Sequence, residues 1–235
     1  MRRAILFLAI SVLCMGSIAS ADSFSFYTDR VSMNPTDSFD WGQLGAPGTF
    51  IDTPAAVFSS GATNAALVGN ADGSQFLTMQ QGVTWNGNFA FGENLVWTGN
   101  ANFGVGGLGP FLVELLNPVG SIGFGIQADL YGPFTAYVDL YDSNYSYLAS
   151  FSFTGNSSSS NAGDNLFIGI RDISAVNIGA MVIQTDSGDP DFANDFAINS
   201  VSFDYQPPVP EPGTLAMLGS ALLGAAGLIR SKIGR

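Results

Sequence analysis

The 235-residue chain has no histidine, and its one cysteine, Cys14, sits in the apolar stretch near the N-terminus. Lack of histidine excludes the Ser-His-Asp triad, the usual general base near neutral pH and the common zinc sites. With no thiol beyond Cys14, the rest of the chain has neither cysteine catalysis nor a disulfide, and its fold must rest on an ordinary core. Lysine is absent until the last residues, and only Arg30 and Arg171 of the seven basic residues lie between the two ends. All the acids except Glu211 lie in that middle, eighteen of nineteen, so it carries −16 (2 − 18). Such a field repels nucleic acid phosphates and anionic lipid, and no nucleic acid partner is expected. Glutamate is scarce too, with only Glu93 and Glu114 in the middle, so strong helix formers are few there.

The two ends are built differently. Arg2 and Arg3 precede the apolar run Ala4 to Ile18, which closes on Ala19-Ser20-Ala21. Charge, apolar run and small residues in that order predict a helical signal peptide over 1–21, cut by signal peptidase after Ala21, with Ala19 and Ala21 as the cleavage residues. At the other end Pro210-Glu211-Pro212 precedes the apolar run Leu215 to Ile229, followed by Arg230, Lys232 and Arg235. Some 15 apolar residues cover about 23 Å as a helix, short of a bilayer core of about 30 Å. Thr214 lengthens the run and the trailing basic side chains can snorkel, so a short transmembrane helix is expected over 214–229, its basic end cytoplasmic. The chain therefore divides into 1–21, a body over 22–206 and a tail over 207–235. The body is long enough for one domain with a sizeable core.

Within the body, period-two alternation predominates. Phe134, Ala136, Val138 and Leu140 interleave with Thr135, Tyr137, Asp139 and Tyr141, which is a half-buried strand. Asp142-Ser143-Asn144 is turn chemistry, and the stretch Tyr145 to Phe153 returns as a second strand, making a hairpin. Further short strands are expected over 24–28, 65–68, 76–79, 83–85, 88–91, 95–98, 111–116, 122–127, 166–170 and 178–184. In the stretch 122–127, Gly123 and Gly125 leave one face bare, as if another layer lay on it. From Phe196 to Tyr205 the apolar phase shifts, which places a bulge near Asn199-Ser200. Many short strands and no long helix predict an all-β body, an antiparallel β-sandwich of jelly-roll type, flanked by the signal helix and the transmembrane helix.

Pro210-Glu211-Pro212, a glycine, a short apolar helix and a basic end together resemble the PEP-CTERM sorting tail of Gram-negative bacteria. The resemblance implies export, recognition by an exosortase-type processing enzyme, transient anchoring in the inner membrane, and a final place at the cell surface or outside the cell. Many members of that group are associated with extracellular polysaccharide. The two prolines fit such a role physically, because they hold an extended segment where no helix can start early. More loosely, the stretch from Val119 to Tyr205 and Asp40-Trp41-Gly42-Gln43-Leu44-Gly45 are similar to bacterial sandwiches that include lectins and carbohydrate-binding modules.

No catalytic residue is expected, and the body is read as non-enzymatic. Gly104-Val105-Gly106-Gly107-Leu108-Gly109 matches the dinucleotide-binding spacing, but Pro110 and a strand-like run follow where a helix is needed, so it reads as a glycine-rich loop. Asp186, Asp189, Asp191 and Asp195 form the densest acidic cluster and are the candidate ligands for Ca²⁺, which takes six to eight oxygens, against the alternative of a solvated turn. Trp41, Trp85 and Trp97 are the candidate stacking surface for a sugar, against the alternative that they are core. Surface or matrix placement with polysaccharide binding is the leading functional expectation. A secreted hydrolase using paired carboxylates and a purely structural surface protein are the alternatives.

Overall fold

Where polar and apolar residues alternate, the strands form and turn their apolar side inward; where glycine, proline and asparagine interrupt, the chain turns, either back within one sheet or across to the other. The structure, a computed structural model, describes residues 23–99, 107 and 109–205. The signal segment with Ala19 and Ala21, the triplet Pro210-Glu211-Pro212, the apolar run 214–229 and most of the glycine-rich loop 104–109 lie outside the described residues. Among the described residues, no helix is long and apolar enough to cross a membrane.

The elements are β1 (Phe24–Tyr27), α1 (Arg30–Met33), β2 (Asp37–Phe39), β3 (Phe50–Ile51), β4 (Ala55–Phe58), β5 (Ala65–Asn70), β6 (Phe76–Gln80), β7 (Asn94–Trp97) and β8 (Phe111–Val119). There follow β9 (Ser121–Ala128), β10 (Gly132–Tyr141), β11 (Tyr147–Ser157), β12 (Leu166–Asp172), β13 (Ile178–Asp186), β14 (Phe196–Ile198) and β15 (Val201–Asp204). Nine strands make one sheet in the order β1-β12-β9-β14-β7-β6-β3, with β15 beside β9 and β2 on β15. Six make the other, β11-β10-β13-β8-β5-β4. Every pairing between named strands is antiparallel, as expected for a sandwich.

The inner faces meet in one core. Ile122, Phe124 and Ile126 of β9 join Phe111 and Val113 of β8 and Ala136, Val138 and Leu140 of β10, all buried. Phe111 is packed edge-on by Phe76 at 5.3 Å and by Trp41 at 6.4 Å between ring centroids. On the opposite side of β9 the bare glycine face is covered as anticipated. A Cβ on Gly123 would stand 2.7 Å from the Met33 sulfur of α1, so the bare position is where that side chain packs on the sheet.

The phase shift near Asn199-Ser200 is a break between β14 and β15. Asn199 makes it: its N–H donates to the Gly125 carbonyl at 3.1 Å while its Oδ1 accepts from the Gly125 N–H at 2.6 Å. The expected strands at 83–85 and 88–91 do not form. The Gln80 carbonyl gathers the N–H groups of Val83, Thr84 and Trp85 at 3.0–3.1 Å, a turn, and the Asn88 N–H donates to Gln127 Oε1 at 2.8 Å instead of a ladder. The short strands β2, β3 and β4 carry too little alternation to be read from sequence.

Candidate functional site

The tryptophans do not form a shared platform. Trp41 is fully buried, at the start of a 3-10 turn over Trp41–Leu44, and its Nε1–H donates to the Asn199 carbonyl at 2.8 Å. Trp85 is also buried, in a small cluster with Phe89, Leu95 and Ala197. Only Trp97 is half-exposed, tilted 56° against Trp85 with centroids 6.0 Å apart. The physical reason is size: a sandwich core gains most by burying its largest rings, and each indole N–H finds an acceptor there.

The four candidate calcium ligands do not converge either. Asp186 Oδ1 accepts from the Gly188 N–H at 2.7 Å and Asp189 Oδ1 from the Asp191 N–H at 3.0 Å, so both are spent on their own turns. Asp191 is exposed and Asp195 is buried. Among the described residues no three acidic side chains stand together to hold a metal ion.

Two of these residues meet for another reason. Trp97 Nε1–H donates to Asp195 Oδ1 at 2.6 Å, and the Asp129 N–H donates to the Asp195 carbonyl at 2.9 Å. Burial first, and the neighbouring Asp129 charge second, raise the Asp195 carboxyl to a pKa of about 6 against the pull of the Trp97 N–H. Burial also raises Asp129. This corner joins β7, β14 and the end of β9 around a carboxyl that is neutral in mild acid.

The outer face of the six-stranded sheet is open. Tyr137 lies opposite Ser152 of β11 and Gln184 of β13, Asp139 opposite Ser150 and Val182, and Tyr141 opposite Tyr147 and Ala180. Side chains of paired residues stand on the same face, so this is one row of phenols, hydroxyls and a carboxylate. Tyr137 is 39% exposed, and Tyr145 and Tyr147 are each 61% exposed. Tyr137 and Tyr141, four residues apart on one strand, are about 13 Å apart. Beside the row lies a groove of about 440 Å³ lined by Ala56, Leu67, Glu114, Leu116 and Ser143.

Tyr145 ties the hairpin tip to that groove. Its φ is +61°, the left-handed region, where a bulky side chain is rare. Its hydroxyl donates to Glu114 Oε1, and that bond holds the phenol above its ordinary pKa. Asp142 Oδ1 fixes the turn by accepting from the N–H groups of Asn144 and Ser146, each at 2.8 Å. Four of the seven tyrosines lie in this hairpin, which is why the face is aromatic at all. The signal for it was the alternation itself: Tyr137 and Tyr141 occupy polar-face positions of a strand whose other side is core.

Residues 208–231 match the PEP-CTERM protein-sorting motif. The chain thus carries a signature of exported, envelope-sorted proteins, and the motif implies processing by an exosortase. No curated protein matches the chain. Among solved structures it is similar to a DUF4465 family protein from Bacteroides caccae, at 10% identity over 81% of this chain and 97% of that one, with a TM-score of 0.37. It is also similar to a carbohydrate-binding module of the β-sandwich superfamily, at 11% identity over 79% and 75% of the two chains, with a TM-score of 0.28. An arabinose-bound GH51 α-L-arabinofuranosidase matches at 10% identity over 72% of this chain and 27% of its own, with a TM-score of 0.31. Likeness this distant leaves function to be argued from the residues themselves.

Proposed function

We propose that this is a non-enzymatic protein of the cell surface or extracellular matrix, whose body over 22–206 binds polysaccharide on the outer face of its six-stranded sheet. The signal over 1–21 and the tail over 207–235 act as addresses, the tail holding the chain briefly in the inner membrane. The body reads as a jelly roll, supported by the strand order β12-β9-β14-β7 opposed to β11-β10-β13-β8, in which the chain from β7 onward passes repeatedly from sheet to sheet. The observation that carries the function is Tyr145, a bulky residue kept at φ +61° with its hydroxyl on Glu114 beside the exposed row of Tyr137 and Tyr147. Backbone strain kept at an exposed aromatic is what a binding surface retains and a purely structural turn does not need. Phenol faces stack on sugar rings while Asp139, Gln184 and the serine hydroxyls bond the sugar hydroxyls.

The test is affinity electrophoresis of the full-length chain in detergent through gels containing a panel of polysaccharides. Replacing one stacked ring, in Tyr137→Ala or Tyr147→Ala, removes about 1 kcal/mol and weakens retention five- to tenfold. Tyr145→Gly relieves the left-handed backbone and gives up only a solvent-exposed bond to Glu114, so it leaves the melting temperature nearly unchanged while retention falls. Unaltered retention in all three variants refutes the placement.

A hydrolytic reading has one observation in its favour, the pair Asp129 and Asp195 with both carboxyls raised. Against it, Asp195 is buried and already accepts the Trp97 N–H. Release of reducing ends from any gel polysaccharide, abolished in Asp195→Asn, would favour the hydrolase.

A further inference from the structure

We infer that the glycan taken by the tyrosine face is a neutral one, and that uronate- or sulfate-bearing polysaccharides are rejected. The inference rests on that face being the glycan site and adds the class of ligand. Anionic sugars are held by guanidinium or ammonium groups, and the body owns two guanidinium groups, no lysine and no histidine. Both guanidinium groups are spent elsewhere. Arg30 donates to Ser200 Oγ at 2.5 Å, to the Ser200 carbonyl at 2.9 Å and to Asn199 Oδ1 at 3.0 Å, and it lies 5.8 Å over the Phe167 ring. Arg171 donates to the Met33 carbonyl at 3.3 Å, stands 3.7 Å from an Asp204 oxygen and lies 5.5 Å over Tyr27. Every one of those partners belongs to the nine-stranded sheet, to the break between its strands β14 and β15, or to the segment over 27–33.

The six-stranded sheet has no cation on any of its strands, β4, β5, β8, β10, β11 or β13. Its outer face instead carries Glu114 and Asp139, with Asp186 at the end of β13. Carboxylates accept from sugar hydroxyls but repel sugar carboxylates, and a body at −16 extends that repulsion to long range at low salt. The same charges therefore favour one class of glycan and reject the other.

The experiment compares retention of the full-length chain, in detergent with EDTA, by galactomannan or β-glucan and by polygalacturonate or alginate, at low salt and at 0.5 M NaCl. EDTA removes any divalent ion that could bridge carboxylates. The expected result is retention by a neutral gel that is insensitive to salt, weakened about five- to tenfold in Tyr137→Ala, and at least tenfold stronger than by either anionic gel. Ser152→Lys places an ammonium opposite Tyr137 and should gain retention by polygalacturonate that 0.5 M NaCl abolishes. Retention by an anionic gel equal to the neutral one and weakened likewise in Tyr137→Ala overturns the inference while leaving the face as the glycan site. Retention by neither class overturns the glycan reading, and this inference with it.

Discussion

Replacing Asp195 with asparagine should stabilise the protein at neutral pH, although it removes a residue buried to 3% exposure. Asparagine keeps an oxygen to accept the Trp97 N–H, so what changes is the charge. The carboxyl titrates near 3.8 when unfolded and at about 6 when folded, raised by burial and by Asp129. A raised folded value means that the native state binds the proton more tightly. The contribution is complete below pH 3.8 and is lost as pH rises to about 6 and above. The difference of about 2 pH units is worth about 3 kcal/mol, at about 1.4 kcal/mol per unit. In a domain of this size about 3 kcal/mol corresponds to some 6–12 °C in melting temperature. The assay is urea unfolding followed by tryptophan fluorescence at intervals from pH 4 to pH 8, for both proteins. Other shifted carboxylates, Asp129 upward and Asp29, Asp37 and Asp142 downward, also change stability with pH, so the informative quantity is the variant minus the native protein. That difference should grow through pH 4–6 and then level off. Parallel pH curves would show that Asp195 is not held in a shifted state, and the electrostatic account of this corner would fail.

Asp37 should behave in the opposite sense. Burial would raise its pKa, but hydrogen bonds from Ser59, Thr63, Gly61 and Ser38 outweigh burial and hold it at about 2, so its stability is present above pH 3.8 and lost as pH falls through about 2. Asp37→Ala should cost about 2 kcal/mol at pH 7 and flatten the acid limb of a stability-versus-pH curve, which acid unfolding followed by circular dichroism would check. Trp41→Ala should cost about 3–5 kcal/mol by opening a core cavity, yet leave glycan retention of the folded protein as it was, since this tryptophan is core and not platform.

The sequence was most legible where a single physical rule dominated. Alternation along Phe134 to Tyr141 named both the strand and its buried side, and the phase shift at Asn199-Ser200 located an irregularity that reads as a bulge and is a break between β14 and β15. The bare Gly123 and Gly125 announced a covering layer, though not that Met33 and Asn199 supply it. It was least legible where a side chain from far along the chain decides the local backbone. Nothing near Asn88 reveals that its N–H is taken by Gln127, 39 residues on, so 88–91 reads as a strand and is not one. The site shows the same limit. Residue type drew attention to tryptophan as a sugar-stacking ring, but position in the pleat decides exposure. The tyrosines at polar-face positions outrank the tryptophans there.

The lack of lysine connects these findings. On the outer face of a sheet, lysine and arginine stems lay methylene groups over apolar neighbours and keep their charge in water. Lysine also guards sheet edges against pairing with other chains. Here no such side chain exists on the six-stranded sheet, so Leu67, Leu116, Tyr137 and Tyr147 remain bare, and Phe58 of the edge strand β4 is 67% exposed. Solubility falls instead to acids, whose short side chains hold charge near the backbone without covering the rings beside them. An acidic, lysine-free body is therefore one in which an aromatic sheet face can stay open in water. Adding lysine at positions such as Ser150 and Ser152 would cover that face as well as recharge it.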